Sequence, residues 1–453
     1  MTLGEIAEVC GGEVGEDWAS AVATGVSTDT REVQPGELFV ALTGARHNGH
    51  DFVGEAFERG AVGAVVARGK RGVVVGRQPL VTVDDTLVAL GKIASRHRSK
   101  FNVAITAVSG STGKTTTKNM LGGILAQSGP TLTAPGTHNN EVGVPKALLS
   151  LRAEHRFCVL EFAMRGPGEI AYLAKLAEPQ VGVITNVGQS HVGRLGSREA
   201  IAQVKAELLQ HLPADGAAVL NAGGFFFQVF AEMAPCDVIS FGLGADADVR
   251  AVNVGPAGLD GMDFVLAAAD REVPVHLQVL GQHNVMNALA AAAAALALEV
   301  SPESIATGLS EYAGAPMRLE PVQGPRGSMI INDAYNASPD SVEAALAVLA
   351  ACAGRKILVF GDMLELGAAA EEAHRVCGEQ AARAGVAWLV AVSEMAAAAA
   401  EEAAKHGVRA DLVADAQQAV ELLRPEIGEG DLILVKGSRA LELERVAEGL
   451  SDG

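Results

Sequence analysis

The 453-residue sequence predicts an α/β protein of three domains: a small N-terminal α/β domain at 1–98, a central phosphate-loop domain with a mostly parallel sheet at 99–313, and a C-terminal Rossmann-like domain at 314–453. Three observations carry this expectation. The chain is long enough for three cores of about 150 residues each. Apolar runs of strand length alternate with helical stretches along most of it, the pattern of parallel sheets. One such run meets a glycine-rich turn that opens a helix, the junction at which parallel sheets gather ligands.

In the N-terminal domain, Pro35-Gly36 punctuates before the apolar run at 37–42, and 61–67 is a second strand. Taken by itself, the block from Ser27 to Leu42 reads as a hairpin. The basic stretch 95–100 reads as a bridge into the central domain, whose first strand is 102–108. Strands at 157–160, 181–185 and 217–220 follow, with a helix at 200–211 and an alanine-rich helix at 285–298. After Pro316 the pattern restarts, with strands at 328–331, 356–360, 387–392 and 431–435 and a helix at 395–406.

Composition narrows the function. With 35 Lys and Arg against 54 Asp and Glu the net charge is −19, so the general field repels phosphate polymers and a nucleic-acid partner is not expected. Any phosphate ligand must then be held by a local device. The five cysteines are odd in number and lack a C-x-x-C pair, as in a reducing compartment with mostly buried, inert thiols. The most apolar stretch, 288–298, falls short of the roughly 20 residues of a membrane span, so no membrane insertion is expected. Glu5 and Glu8 stand where a secretory leader carries positive charge, and a cytoplasmic location is expected.

The local device is Gly110-Ser111-Thr112-Gly113-Lys114-Thr115-Thr116, between a predicted strand and a predicted helix. Glycines there let backbone N–H groups approach phosphate oxygens, Lys114 supplies a point charge, and the Thr115 hydroxyl suits Mg²⁺. The common form of this loop has glycine at the position of Val108, so the chain carries a shortened G-x-x-G-K-T-T version.

That shortened loop resembles the one in the Mur ligase family of ATP-dependent amide-forming enzymes. Further blocks agree along nearly the whole chain: 138–145, 164–170, Thr185-Asn186-Val187-Gly188 with His191, 281–288, Pro316-Met317-Arg318, Asp333-Ala334-Tyr335-Asn336-Ala337-Ser338-Pro339 and Gly361-Asp362-Met363-Leu364-Glu365-Leu366-Gly367. The last two resemble the branch that joins D-alanyl-D-alanine to UDP-N-acetylmuramoyl-tripeptide, releasing ADP and phosphate. Amide formation from an unactivated carboxylate is uphill, and the resemblance implies activation through an acyl phosphate.

The resemblance also implies roles for residues. Glu161, at a strand end, is expected to hold Mg²⁺ with Thr115, and His191 a second metal. Lys205 by itself reads as a lysine that snorkels to solvent; the family implies that CO₂ carbamylates it into an anionic metal-side group. Arg318 is expected at the ATP phosphates, Asp333 at the nucleotide, and Asn287 at adenine. Ser27, Thr30 and Arg31 resemble a uridine-nucleotide block, while Asn139, Asn140, Asn336 and Ser338 are candidate contacts to the peptide substrates. Lys436-Gly437-Ser438-Arg439 reads as an anion-binding turn, with a structural turn as the alternative. A monomer is expected.

Several positions depart from the branch. Glu161-Phe162-Ala163-Met164 replaces a more usual Glu-Met-Gly-Met, which suggests crowding at Ala163. Phe225-Phe226-Phe227 stands where an acidic pair is common, and His47-Asn48-Gly49-His50 replaces Asp-Gly-His. The rival readings are a sister ligase adding one amino acid, whose Asp-Asn-Pro-Arg-type motif is missing, a folylpolyglutamate synthase, and a nonenzymatic nucleotide-dependent binding module. Retention of Glu161, His191 and Lys205 argues against the last.

Overall fold

The computed structural model describes residues 1–44, 47–73, 78–188, 192–268 and 270–451. His191 therefore lies outside the described residues. The chain forms two compact units: one of Met1–Ala107, Pro130–Met164 and Gly168–Pro179, the other of Val108–Gly129, Arg165–Pro167 and Gln180–Gly453.

The first unit starts with the helix Leu3–Cys10, which Thr2 and Glu5 close with a reciprocal capping box. Its five-stranded sheet runs, in spatial order, Glu13–Val14, Leu80–Val83, Gly63–Ala67, Leu38–Val40, Val26–Ser27. Val26–Ser27 and Leu38–Val40 pair in parallel, which overturns the hairpin expected for this block. Parallel neighbours need a crossover, and the chain makes it through the short turn Thr30–Glu32. Leu3, Ile6, Leu38, Val40, Val65, Val81, Leu90 and Ile93 form the core on one face. The basic stretch at 95–98 is the last turn of the helix Thr86–Arg98 rather than a bridge, and cations there suit the helix carboxyl end. The unit also holds the parallel strands Thr131–Thr133 and Phe157–Glu161.

In the second unit, the strands Val181–Ile184, Ala217–Asn221, Asp237–Gly242 and the start of Val249–Pro256 pair in parallel. An antiparallel meander of Val249–Pro256, Met262–Ala268 and Arg271–Leu277 continues this sheet, and it was not read from the sequence. The helix Gln282–Ala297 is buried so completely that Ala288 and Ala290–Ala295 have no exposed surface; their small side chains let it pack against the helix Lys114–Ala126. A six-stranded sheet follows: Glu320–Gln323, Met329–Asp333, Asp431–Lys436, Arg355–Gly361, Val386–Val392, Arg409–Val413. All but the first strand run parallel, with helices on both faces, as in a Rossmann-like domain. Among the described residues no helix is long and apolar enough to cross a membrane.

Candidate active site

The glycine-rich turn leaves the strand Ala104–Ser109, whose Ile105–Ser109 are buried, and enters the helix Lys114–Ala126. Gly110 (φ +151°) and Gly113 (φ +78°) adopt backbone conformations that disfavour side chains. Space forbids side chains as well. A Cβ on Gly110 would lie 1.8 Å from Thr185 Oγ1, and one on Gly113 2.1 Å from Asn287 Oδ1.

The block Thr185–Gly188 holds this turn in shape. Ser111 N donates to Asn186 O (3.1 Å), Thr112 N to Asn186 Oδ1 (3.0 Å), Thr185 Oγ1 to Thr112 O (2.6 Å) and Gly188 N to Ser111 Oγ (2.9 Å). The amides of Ser111 and Thr112 thus serve the loop itself. Amides in the first turn of a helix have no intrahelical acceptor, so 114–116 form the open amino end of this helix. Lys114 Nζ donates to Gly110 O (2.8 Å) and Ser111 O (3.2 Å), and Thr115 and Thr116 are buried in the same turn.

Three predicted residues, Asn287, Arg318 and Lys205, gather around this turn, and a fourth, Asp333, is tied to the residue after Arg318. Asn287 is buried against Gly113 and donates to Asn284 Oδ1 (3.0 Å), which ties it into its own helix. Arg318 Nη2 donates to Thr115 Oγ1 (3.3 Å) while the guanidinium lies 4.1 Å over the Tyr335 ring. Asp333 accepts from Leu319 N (3.2 Å) and from Lys436 Nζ (2.5 Å). Lys205, on the helix Arg198–Ala206, does not snorkel: it is 2% exposed, and burial together with the Lys114 ammonium holds its pKa well below the usual lysine value. His283 is half-buried, and burial lowers its pKa to about 4, so it is neutral near pH 7.

Asn336 and Ser338 open the helix Pro339–Ala351. Ser338 caps it with Ser341, and the exposed Asn336 gives its carbonyl to Lys436 Nζ (3.0 Å). Lys436 is therefore spoken for by protein groups, which is the structural side of its two readings. Phe226 is buried, whereas Phe225 is 80% exposed, with Arg198 6.0 Å over its ring.

In the first unit Glu161 is 2% exposed at the end of its strand, and Asn139 Nδ2 donates to its Oε1 at 2.8 Å. Asn140 Oδ1 accepts from Val142 N (3.2 Å) and Gly143 N (2.9 Å), the work of a turn residue. Ala163 N donates to Asn139 O (2.9 Å). Ser27 and Thr30 are buried; Arg31 is exposed and forks onto Asp29 (2.5–3.2 Å), which lowers the Asp29 pKa to about 2. His50 is buried, accepting from Ala67 N (2.9 Å) through Nε2, so its Nδ1 carries the proton toward Asn48 Oδ1 (2.8 Å).

Sequence reasoning missed the roles of Thr185 and Asn186, quoted as a block without a task, and of Lys436. The signal for the first pair was their place at the end of a strand in a parallel sheet.

Comparison with known proteins matches three family models: Mur ligase family, catalytic domain at 22–98, Mur ligase middle domain at 108–295, and Mur ligase, glutamate ligase domain at 317–439. The chain is 35% identical to "UDP-N-acetylmuramoyl-tripeptide--D-alanyl-D-alanine ligase" of Bacillus subtilis (strain 168), covering 99% of this chain and 98% of the relative. It is similar to crystal structure I of MurF from Acinetobacter baumannii, with a TM-score of 0.91, 33% identity and coverage of 99% and 98%. It is also similar to the MurF ligase of Thermotoga maritima in complex with ADP, with a TM-score of 0.82, 27% identity and coverage of 95% and 97%.

Proposed function

The chain belongs to the Mur ligase family, and from that premise we propose that it joins D-alanyl-D-alanine to UDP-N-acetylmuramoyl-tripeptide at the expense of ATP, through an acyl phosphate. The observation that carries the reading is the Arg318–Thr115 hydrogen bond, which brings a cation from the segment just before the strand Glu320–Gln323 to the glycine-rich turn.

The residues fit the groups the reaction needs. Mg²⁺ is usually held by one or two carboxylates together with substrate phosphates and water. In the first unit the buried Glu161 carboxylate, aimed by Asn139, is an oxygen donor of that kind; in the second unit the Thr115 hydroxyl is another. When bound, the metal neutralises phosphate charge. Lys114, Arg318 and the helix amino end bind and orient the nucleotide phosphates. Asn139 fixes Glu161, and the Thr185–Gly188 block keeps the turn preformed, so little is reorganised when substrate arrives.

Carbamylation of Lys205 is part of the same reading. Its lowered pKa favours the neutral amine, which adds to CO₂ with loss of one proton to give an anion. That anion exchanges repulsion from Lys114 for attraction.

Mass spectrometry of the reaction mixture tests the assignment. The expected product is the nucleotide tripeptide heavier by D-alanyl-D-alanine less water, absent with the Lys114→Ala variant. Extension only by a single amino acid would move the chain to a sister ligase.

A further inference from the structure

Arg318 is flanked by two residues in the left-handed region, Met317 (φ +59°) and Leu319 (φ +51°). Bulky side chains rarely sit there, and such outliers persist only where their surroundings hold them. Met317 is held on both sides: its N donates to Glu320 Oε2 (2.9 Å), and its O accepts from Tyr335 N (3.2 Å). Leu319 N donates to Asp333 Oδ1 at 3.2 Å, and the Leu319 side chain is buried. The outcome of this strained segment is one geometry, the Arg318 guanidinium stacked on Tyr335 and bonded to Thr115.

Asp333 is itself held from behind. It pairs in register with Lys436 on the neighbouring parallel strand. Lys436 is 2% exposed, and a buried ammonium demands partners; it finds Asp333 Oδ2 (2.5 Å) and Asn336 O (3.0 Å). With Oδ2 engaged there, Oδ1 faces the Leu319 amide.

We propose that Lys436 is a positioning residue: it fixes Asp333, Asp333 fixes the Leu319 backbone, and that backbone aims Arg318 at the phosphate-binding turn. The proposal deepens the function argued above and rests on reading Thr115 and Arg318 as nucleotide-site residues.

A double-mutant cycle read by calorimetric Mg-ADP binding tests it. Lys436→Met and Arg318→Ala are each expected to weaken binding about tenfold or more. The double variant is expected to bind no worse than Arg318→Ala alone, because Arg318 is already misaimed once Lys436 is gone. Lys436→Arg, which keeps the cation, is expected to recover part of the affinity, and the KM for the dipeptide should stay the same in Lys436→Met. Losses that multiply in the double variant, or unchanged Mg-ADP affinity with only a lower melting temperature, would overturn the proposal. If Lys436→Met does not fold, Lys436→Gln replaces it in the same cycle with the same two outcomes. A wild-type protein that binds no Mg-ADP would instead refute the nucleotide-site reading, and one that binds it without ligating the dipeptide would refute only the acceptor.

Discussion

Burial and the Lys114 ammonium act on Lys205 in the same direction, both disfavouring its charge. A lysine held this way is costly if its only task is packing, since a leucine or methionine fills such a space without the desolvation penalty. The reaction with CO₂ proposed above would account for that cost, since a neutral amine is a nucleophile toward CO₂ and the product would carry an anion beside Lys114. Lys205→Ala is therefore expected to lose most turnover, and a short carboxylic acid added to the assay should restore part of it by supplying that anion. Full activity of the variant would remove Lys205 from the machinery. Cys158 and Cys377 show the opposite use of burial, which pushes both thiols up to about 12 and leaves them unreactive.

At the scale of elements, the strand–turn–helix at 104–126 does its work through two glycines and the block that braces them. Gly113→Ala places a Cβ 2.1 Å from Asn287 Oδ1 at a positive φ, so the turn must move away from the helix that holds Asn287. The expected result is at least a tenfold loss of Mg-ADP affinity with the melting temperature lowered by only a few degrees; wild-type affinity would show that the preformed turn is not needed. This element was legible in the sequence because its rules are local: glycine for conformation, lysine for charge, threonine for the metal, all within seven positions. The parallel pairing of Val26–Ser27 with Leu38–Val40 was not, since hairpin and crossover share the same local turn signals and differ only in long-range pairing. The meander had a visible signal, the in–out alternation of Met262, Asp263, Phe264 and Val265, which the βα pattern around it masked. Lys436 failed for a third reason. Whether a lysine after a strand meets an anion or a neighbouring carboxylate depends on strand order, and the strand beside it lies about a hundred residues earlier in the chain.

At the scale of the molecule, each compact unit carries its own candidates: Glu161 and Asn139 in the first; the glycine-rich turn, Lys205, Arg318 and Asp333 in the second. The site of a ligase must also protect an activated acid from water until the amine arrives, so phosphate release should depend on the acceptor. The α/β architecture expected from the alternating pattern appears as three sheets, and with a net charge of −19 the field of the chain as a whole does not favour phosphate. The central claim is that this machinery couples ATP cleavage to one peptide bond. The direct measurement is phosphate release with Mg-ATP, UDP-N-acetylmuramoyl-tripeptide and D-alanyl-D-alanine, leaving out each in turn. The account predicts release only when all are present, and loss of release when a single amino acid replaces the dipeptide. Equal release without the dipeptide or without the nucleotide tripeptide, or none under any combination, would contradict it.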